Sequence, residues 1–140
     1  MPRCISRKEL WYLWRLIRRN YSLIVEDKDA GDIWNKGLES PMSGEERAMR
    51  ARLRRKAAQM AIDLCLIWAA GVAPGGGIES KSASDFVRDV SVALAGVNLD
   101  AAGGKGLPRW LLSILPSKLE KISQRRLQRM SNRRDFSIKQ

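Results

Sequence analysis

The sequence predicts an all-α fold: an irregular bundle of four to six helices with glycine-rich loops and a basic C-terminal helix. Three observations carry that expectation. Apolar residues recur at helical spacing through most of the chain. Ser6 with Glu9, and Ser43 with Glu46, form the serine-to-glutamate pattern of a capping box ahead of two such stretches. Glycines gather mainly between the periodic segments, at 71–77 and 96–106. With 140 residues the chain has the length of one domain, read as a single helical domain over 1–134 and a flexible tail over 135–140.

The first helix follows Ser6 and runs to about Val25 without glycine or proline. At about 100° per residue, Leu10, Leu13, Trp14, Ile17, Tyr21 and Ile24 share one face. Arg7, Lys8, Arg15, Arg18 and Arg19 share another, with Trp11 among them, and Tyr12, Leu16 and Leu23 form a minor apolar strip. That strip predicts more than one packing partner. An acidic connector over 26–32 leads to a short turn at Ile33 and Trp34.

A longer helix is expected over 44–70. Its first half is basic, with Arg47, Arg50, Arg54 and Arg55 around the inner Met49 and Leu53. From Ala57 it is apolar nearly all round, as a helix buried in a bundle is. Gly71 ends it, and 73–81 reads as a loop. A further helix over 84–95 buries Phe86, Val87, Val90 and Leu94; its valines tolerate a strand, but the spacing favours helix. After a second glycine-rich loop, Pro108 suits the first turn of a short helix holding Trp110, Leu111, Ile114 and Leu115. Pro116 is expected to break or kink the chain before a final basic helix that ends at about Met130 or Arg133. Leu64, Ile67, Trp68, Ile17 and Trp14 are the expected core.

Charge is the unusual property. The chain carries 26 Lys and Arg against 15 Asp and Glu, a formal +11. Residues 1–56 hold 14 basic and 8 acidic groups, 57–104 hold 2 and 5, and 105–140 hold 10 and 2. An apolar, mildly acidic middle is flanked by two basic ends. Such a field selects polyanionic partners: DNA or RNA, an acidic protein surface, or an anionic membrane surface.

The strongest basic feature is the segment 118–134. Lys118, Lys121, Arg125 and Arg129 fall along one side, extended by Arg126, Arg133 and Arg134, beside an apolar seam of Leu119, Leu127 and Met130. A helix of this kind can dock on a bundle and present cations to a phosphate backbone. A plain solvated face is the competing explanation, weakened by the scarcity of acidic neighbours. The second basic segment is Arg15, Arg18 and Arg19 with Trp11; an exposed tryptophan there stacks on bases or anchors at a membrane interface. Burial against another helix is the commoner fate of a tryptophan and is the expectation for Trp11. The third is the run of arginines on the long helix, of which Arg50 and Arg54 are the candidate contacts. Glu45 and Glu46 are expected to neutralise part of it.

Catalytic and metal chemistry is poorly supplied. The chain has no histidine, the commonest general base and metal ligand. Counted with Asp27 as position one, position twelve of the acidic connector is Leu38 and not a glutamate, so it is no calcium loop. Neither glycine run carries the lysine and hydroxyl spacing of a phosphate loop. A helix-turn-helix over 93–97 fits badly, because Gly103, Gly104 and Gly106 occupy the place of a recognition helix. Asp63 sits in an apolar half-helix, where an ion pair or hydrogen bond is required to offset its burial. Cys4 and Cys65 form no disulfide framework, which suits a reducing, cytoplasmic compartment. No apolar signal core or membrane span is legible, the run 57–73 being interrupted by Gln59 and Asp63.

The expectation is therefore a non-catalytic, nucleic-acid-binding accessory or regulatory protein, without cofactors, of the small basic kind that phages, viruses and plasmids use. The alternatives are a helical adaptor or inhibitor on an acidic protein surface and a peripheral protein on anionic membranes.

Overall fold

The computed structural model describes residues 5–36, 41–71, 82–96 and 106–138, with 127–138 as backbone alone. Five helices are seen among these residues and no strand: α1 (Arg7–Val25), α2 (Ala30–Asn35), α3 (Gly44–Ala69), α4 (Ala83–Ala95) and α5 (Arg109–Ile138). The segments 72–81 and 97–105, expected as loops, lie outside the described residues, as does Cys4.

Three of the helices start on a serine whose hydroxyl accepts from the backbone N–H three residues later. These pairs are Ser6 with Glu9, Ser43 with Glu46 and Ser82 with Asp85, each at 3.2 Å. At α3 the box is complete, because the Ser43 N–H donates back to the Glu46 carboxylate at 3.3 Å. An acidic group at each of these positions also meets the positive end of its helix dipole. Gly71, with φ +72°, follows the end of α3, a backbone state that favours glycine.

The long helices α3 and α5 organise the bundle. α1 and α2 pack on α3, α4 packs on α5, and α2 bridges both. Leu13 of α1 lies with Leu66 and Ala70 near the end of α3, whereas Asp27, just past α1, pairs with Arg52 near its start. The two helices are therefore antiparallel. One core cluster runs through all the elements. Ile17, Tyr21, Leu53, Met60, Leu64, Val90, Leu94, Leu111, Leu115 and Leu119 are completely buried at its centre. Ile67 belongs to it, while Trp14 and Trp68 lie partly buried against it.

Pro116 does not divide the chain. It stands inside one helix that continues to Ile138, past the expected end at Met130 or Arg133. The reason is tertiary. A proline inside a helix costs about 3 kcal/mol. Leu111, Leu115 and Leu119 lie on one stripe across it, each fully buried, and each contributes about 1.5–3 kcal/mol. The stripe outweighs the lost hydrogen bond.

The expected turn at Ile33–Trp34 is the short helix α2, which sets Trp34 on Trp110 of α5 with ring centroids 4.4 Å apart. Trp110 is buried by that stacking, which removes it from any interfacial role. Asp63 is buried as expected of its position, and its partner is on its own helix. Gln59 Nε2 donates to Asp63 Oδ1 at 3.0 Å, while Oδ2 has no partner among the described residues. Among the described residues no helix is long and apolar enough to cross a membrane.

Candidate nucleic-acid interface

The outer side of α1 is polar and basic because its apolar residues repeat at three and four and leave the remaining positions to solvent. Arg7, Lys8, Arg15 and Arg19 are exposed there and Arg18 is half-buried. Trp11 stands among them, 62% exposed, so its expected burial does not occur. The minor strip explains why. Tyr12 is 59% exposed and Leu23 is exposed too. α1 packs principally on α3, and α5 reaches only its Tyr12 side among the described residues, through Arg126. The Arg15 guanidinium lies over the Trp11 ring, 4.7 Å from its centroid, and fixes the ring as part of the basic face.

On α3 the arginines divide by role. Arg50 is half-buried, and its guanidinium donates to the Lys36 carbonyl at 3.3 Å and approaches Met42 Sδ at 3.9 Å. It braces the connection from α2. Arg52 pairs with Asp27 at 3.8 Å. Glu46 pairs with Lys36 rather than with an arginine of its own helix, and that contact holds its carboxyl below the usual range. Arg47, Arg54 and Arg55 remain exposed.

Arg54 converges with the start of the basic half of α5. Lys118 is half-buried, and its pKa is lowered first by burial and then by the charges of Arg54 and Lys121. No carboxylate is paired with these three cations among the described residues. Glu120, two residues beyond Lys118, points to a different side of the helix at about 100° per residue. Two turns further on, exposed Arg126 reaches the far end of α3. There it lines a cleft of about 240 Å³ with Tyr12 and Leu13 of α1 and Leu66 and Ala69 of α3. Its charge partly offsets the burial that pushes the free Cys65 thiol up. Arg125 is exposed beside it. The side chains of Arg129 and Arg133 lie outside the described residues.

α5 thus brings cations near both other basic segments, Lys118 within the field of Arg54 and Arg126 on the cleft that Tyr12 of α1 also lines. Sequence spacing gave no sign of the Arg54–Lys118 approach or of the Arg126–Tyr12 cleft, since both are tertiary. Tyr12 was expected only as part of an apolar strip. Among the described residues no group of three or more His, Cys, Asp or Glu side chains is placed to hold a metal ion. Comparison with protein families, curated proteins and solved structures finds no match to the chain.

Proposed function

We propose that this protein is a non-catalytic nucleic-acid-binding protein that grips the phosphate backbone with cations of α5, α3 and α1. The observation that carries the reading is the Lys118 cluster. Burial and two like charges disfavour the Lys118 ammonium, and among the described residues no carboxylate relieves them. A polyanion laid across the site relieves both the repulsion and the missing counter-charge. The exposed Trp11–Arg15 pair supplies an aromatic surface beside further cations.

The test is a salt series of equilibrium binding with single strands, duplex DNA, structured RNA and anionic vesicles. Wild-type affinity for nucleic acid is expected to fall steeply between about 50 and 200 mM salt. Replacing Lys118 and Lys121 together by Gln lowers the log–log slope by roughly one to two, at about 0.9 per duplex phosphate contact. Arg125→Ala adds to that loss, and Arg47→Ala changes little. Absence of salt-dependent binding to any nucleic acid removes the reading. Trp11 beside Arg15 also suits an anionic lipid surface, and binding to vesicles alone would favour that second reading.

A further inference from the structure

We infer that the nucleic acid this surface takes is single-stranded, its bases unpaired and stacked on Trp11 and Tyr12; the inference rests on the nucleic-acid reading above. The two rings are consecutive on α1, 62% and 59% exposed. Aromatic residues of this size ordinarily hide most of their surface in a protein of this length, and Trp34 and Trp110 do so by stacking on each other. Trp11 does the opposite. One of its faces carries the Arg15 guanidinium, yet most of the ring's surface is exposed.

What an open ring face recognises is another flat ring. In a duplex each base already lies between its neighbours and offers only its edge in a groove, so stacking on a side chain requires that the base be unpaired or pulled out. A single strand has its bases free, and aromatic side chains interleaved with cations are the means of holding one without reading its sequence. The surroundings match that arrangement. Lys8, Arg15 and Arg19 lie three residues before, four after and eight after Trp11, on the same side of the helix. On the Tyr12 side, Arg126 of α5 lines the cleft, with Glu9 of α1 in the same lining. Rings are therefore flanked by cations on both sides, as a strand with a phosphate between successive bases requires. An anionic membrane is disfavoured because the apolar residues of α1 that would enter it, Leu13, Ile17 and Ile24, are already buried in the core.

The test uses the full chain and four ligands: an unstructured single strand, the same strand in duplex, the same strand with abasic positions, and phosphatidylserine vesicles. At matched salt the single strand is expected to bind more tightly than the duplex. Trp11→Ala weakens single-strand binding about 5- to 150-fold, the span of one stacked base, and leaves duplex binding unchanged. Trp11→Phe, which keeps a ring face, retains most of the affinity. The abasic strand binds as weakly as the Trp11→Ala complex and no longer responds to that substitution. Equal affinity for strand and duplex, with Trp11→Ala neutral, overturns the inference while leaving phosphate binding intact. Failure to bind any nucleic acid overturns both, and Trp11-dependent binding confined to vesicles does so in favour of a lipid surface.

Discussion

Gly106 sets where α5 begins, and Gly106→Ala should be among the most damaging small substitutions in the molecule. The residue has φ +74°, which costs an L-residue about 1–2 kcal/mol. A Cβ placed there meets Ser91 Oγ at 2.8 Å and the Ser91 carbonyl oxygen at 2.9 Å. The hydroxyl can rotate away, but it then gives up the bond it accepts from the Leu107 N–H at 2.9 Å, worth about 0.5–1.5 kcal/mol. The carbonyl belongs to α4 and cannot rotate, so α4 or the entry to α5 must shift, at about 1–3 kcal/mol. Together these give about 2.5–6.5 kcal/mol, a large share of the roughly 5–15 kcal/mol that holds a domain folded. The Tyr21 hydroxyl adds to the sensitivity. It is buried near the Gly106 backbone with no hydrogen-bond partner among the described residues, and burial raises its pKa against a smaller lowering by that backbone. Denaturant unfolding followed by circular dichroism measures the loss. Ser91→Ala alone should cost about 0.5–1.5 kcal/mol, and combined with Gly106→Ala it should recover the hydroxyl part only. A Gly106→Ala protein within about 0.5 kcal/mol of wild type would refute this account of how α4 and α5 are joined.

Leu64 is fully buried at the centre of the core, and Leu64→Ala should cost about 2–5 kcal/mol in the same unfolding assay. Asp63 has its pKa raised by burial, partly opposed by the Gln59 bond. Its folded value therefore lies above the unfolded one of about 3.9. Its favourable contribution is complete below the unfolded pKa and is lost as pH rises through the folded pKa. Asp63→Asn should remove that loss, giving a protein more stable than wild type near neutral pH and a flatter profile of unfolding midpoint against pH. Arg50→Ala should lower stability, because it strips the brace on the Lys36 carbonyl, and leave the salt slope of binding unchanged.

Local signals made most of the fold legible. Serine with an acidic residue three positions on marks the starts of α1, α3 and α4, although for α4 the serine is Ser82, just before the expected start at 84. The apolar period located the buried faces of α1 and α4, with Leu10 and Trp14 only partly buried and Ala83 buried ahead of the expected start of α4. Features set by tertiary contact were not legible. Proline at 116 reads as a break until three leucines across it are known to be buried together. Helical period placed Trp11 on the basic face, but whether a neighbour covers that face depends on where the other helices lie. Charge run alone could not separate Arg50, turned inward on a carbonyl, from Arg54, which faces Lys118. The candidate site suffers most from this, since its cations come from three helices.

The measurement that tests the central claim most directly is the stability and the nucleic-acid affinity of Lys118→Met, taken side by side. Methionine keeps the length of the stem and removes the charge. The Lys118 pKa is lowered in the folded state, so below that value the ammonium opposes folding, and that opposition fades as pH rises through the folded pKa. If Lys118 is held for a polyanion, Lys118→Met unfolds at higher denaturant than wild type near neutral pH. It also binds nucleic acid more weakly, with a salt slope lower by about 0.7–0.9. Unchanged affinity and slope, together with a loss of stability, would contradict the claim and make Lys118 a structural residue.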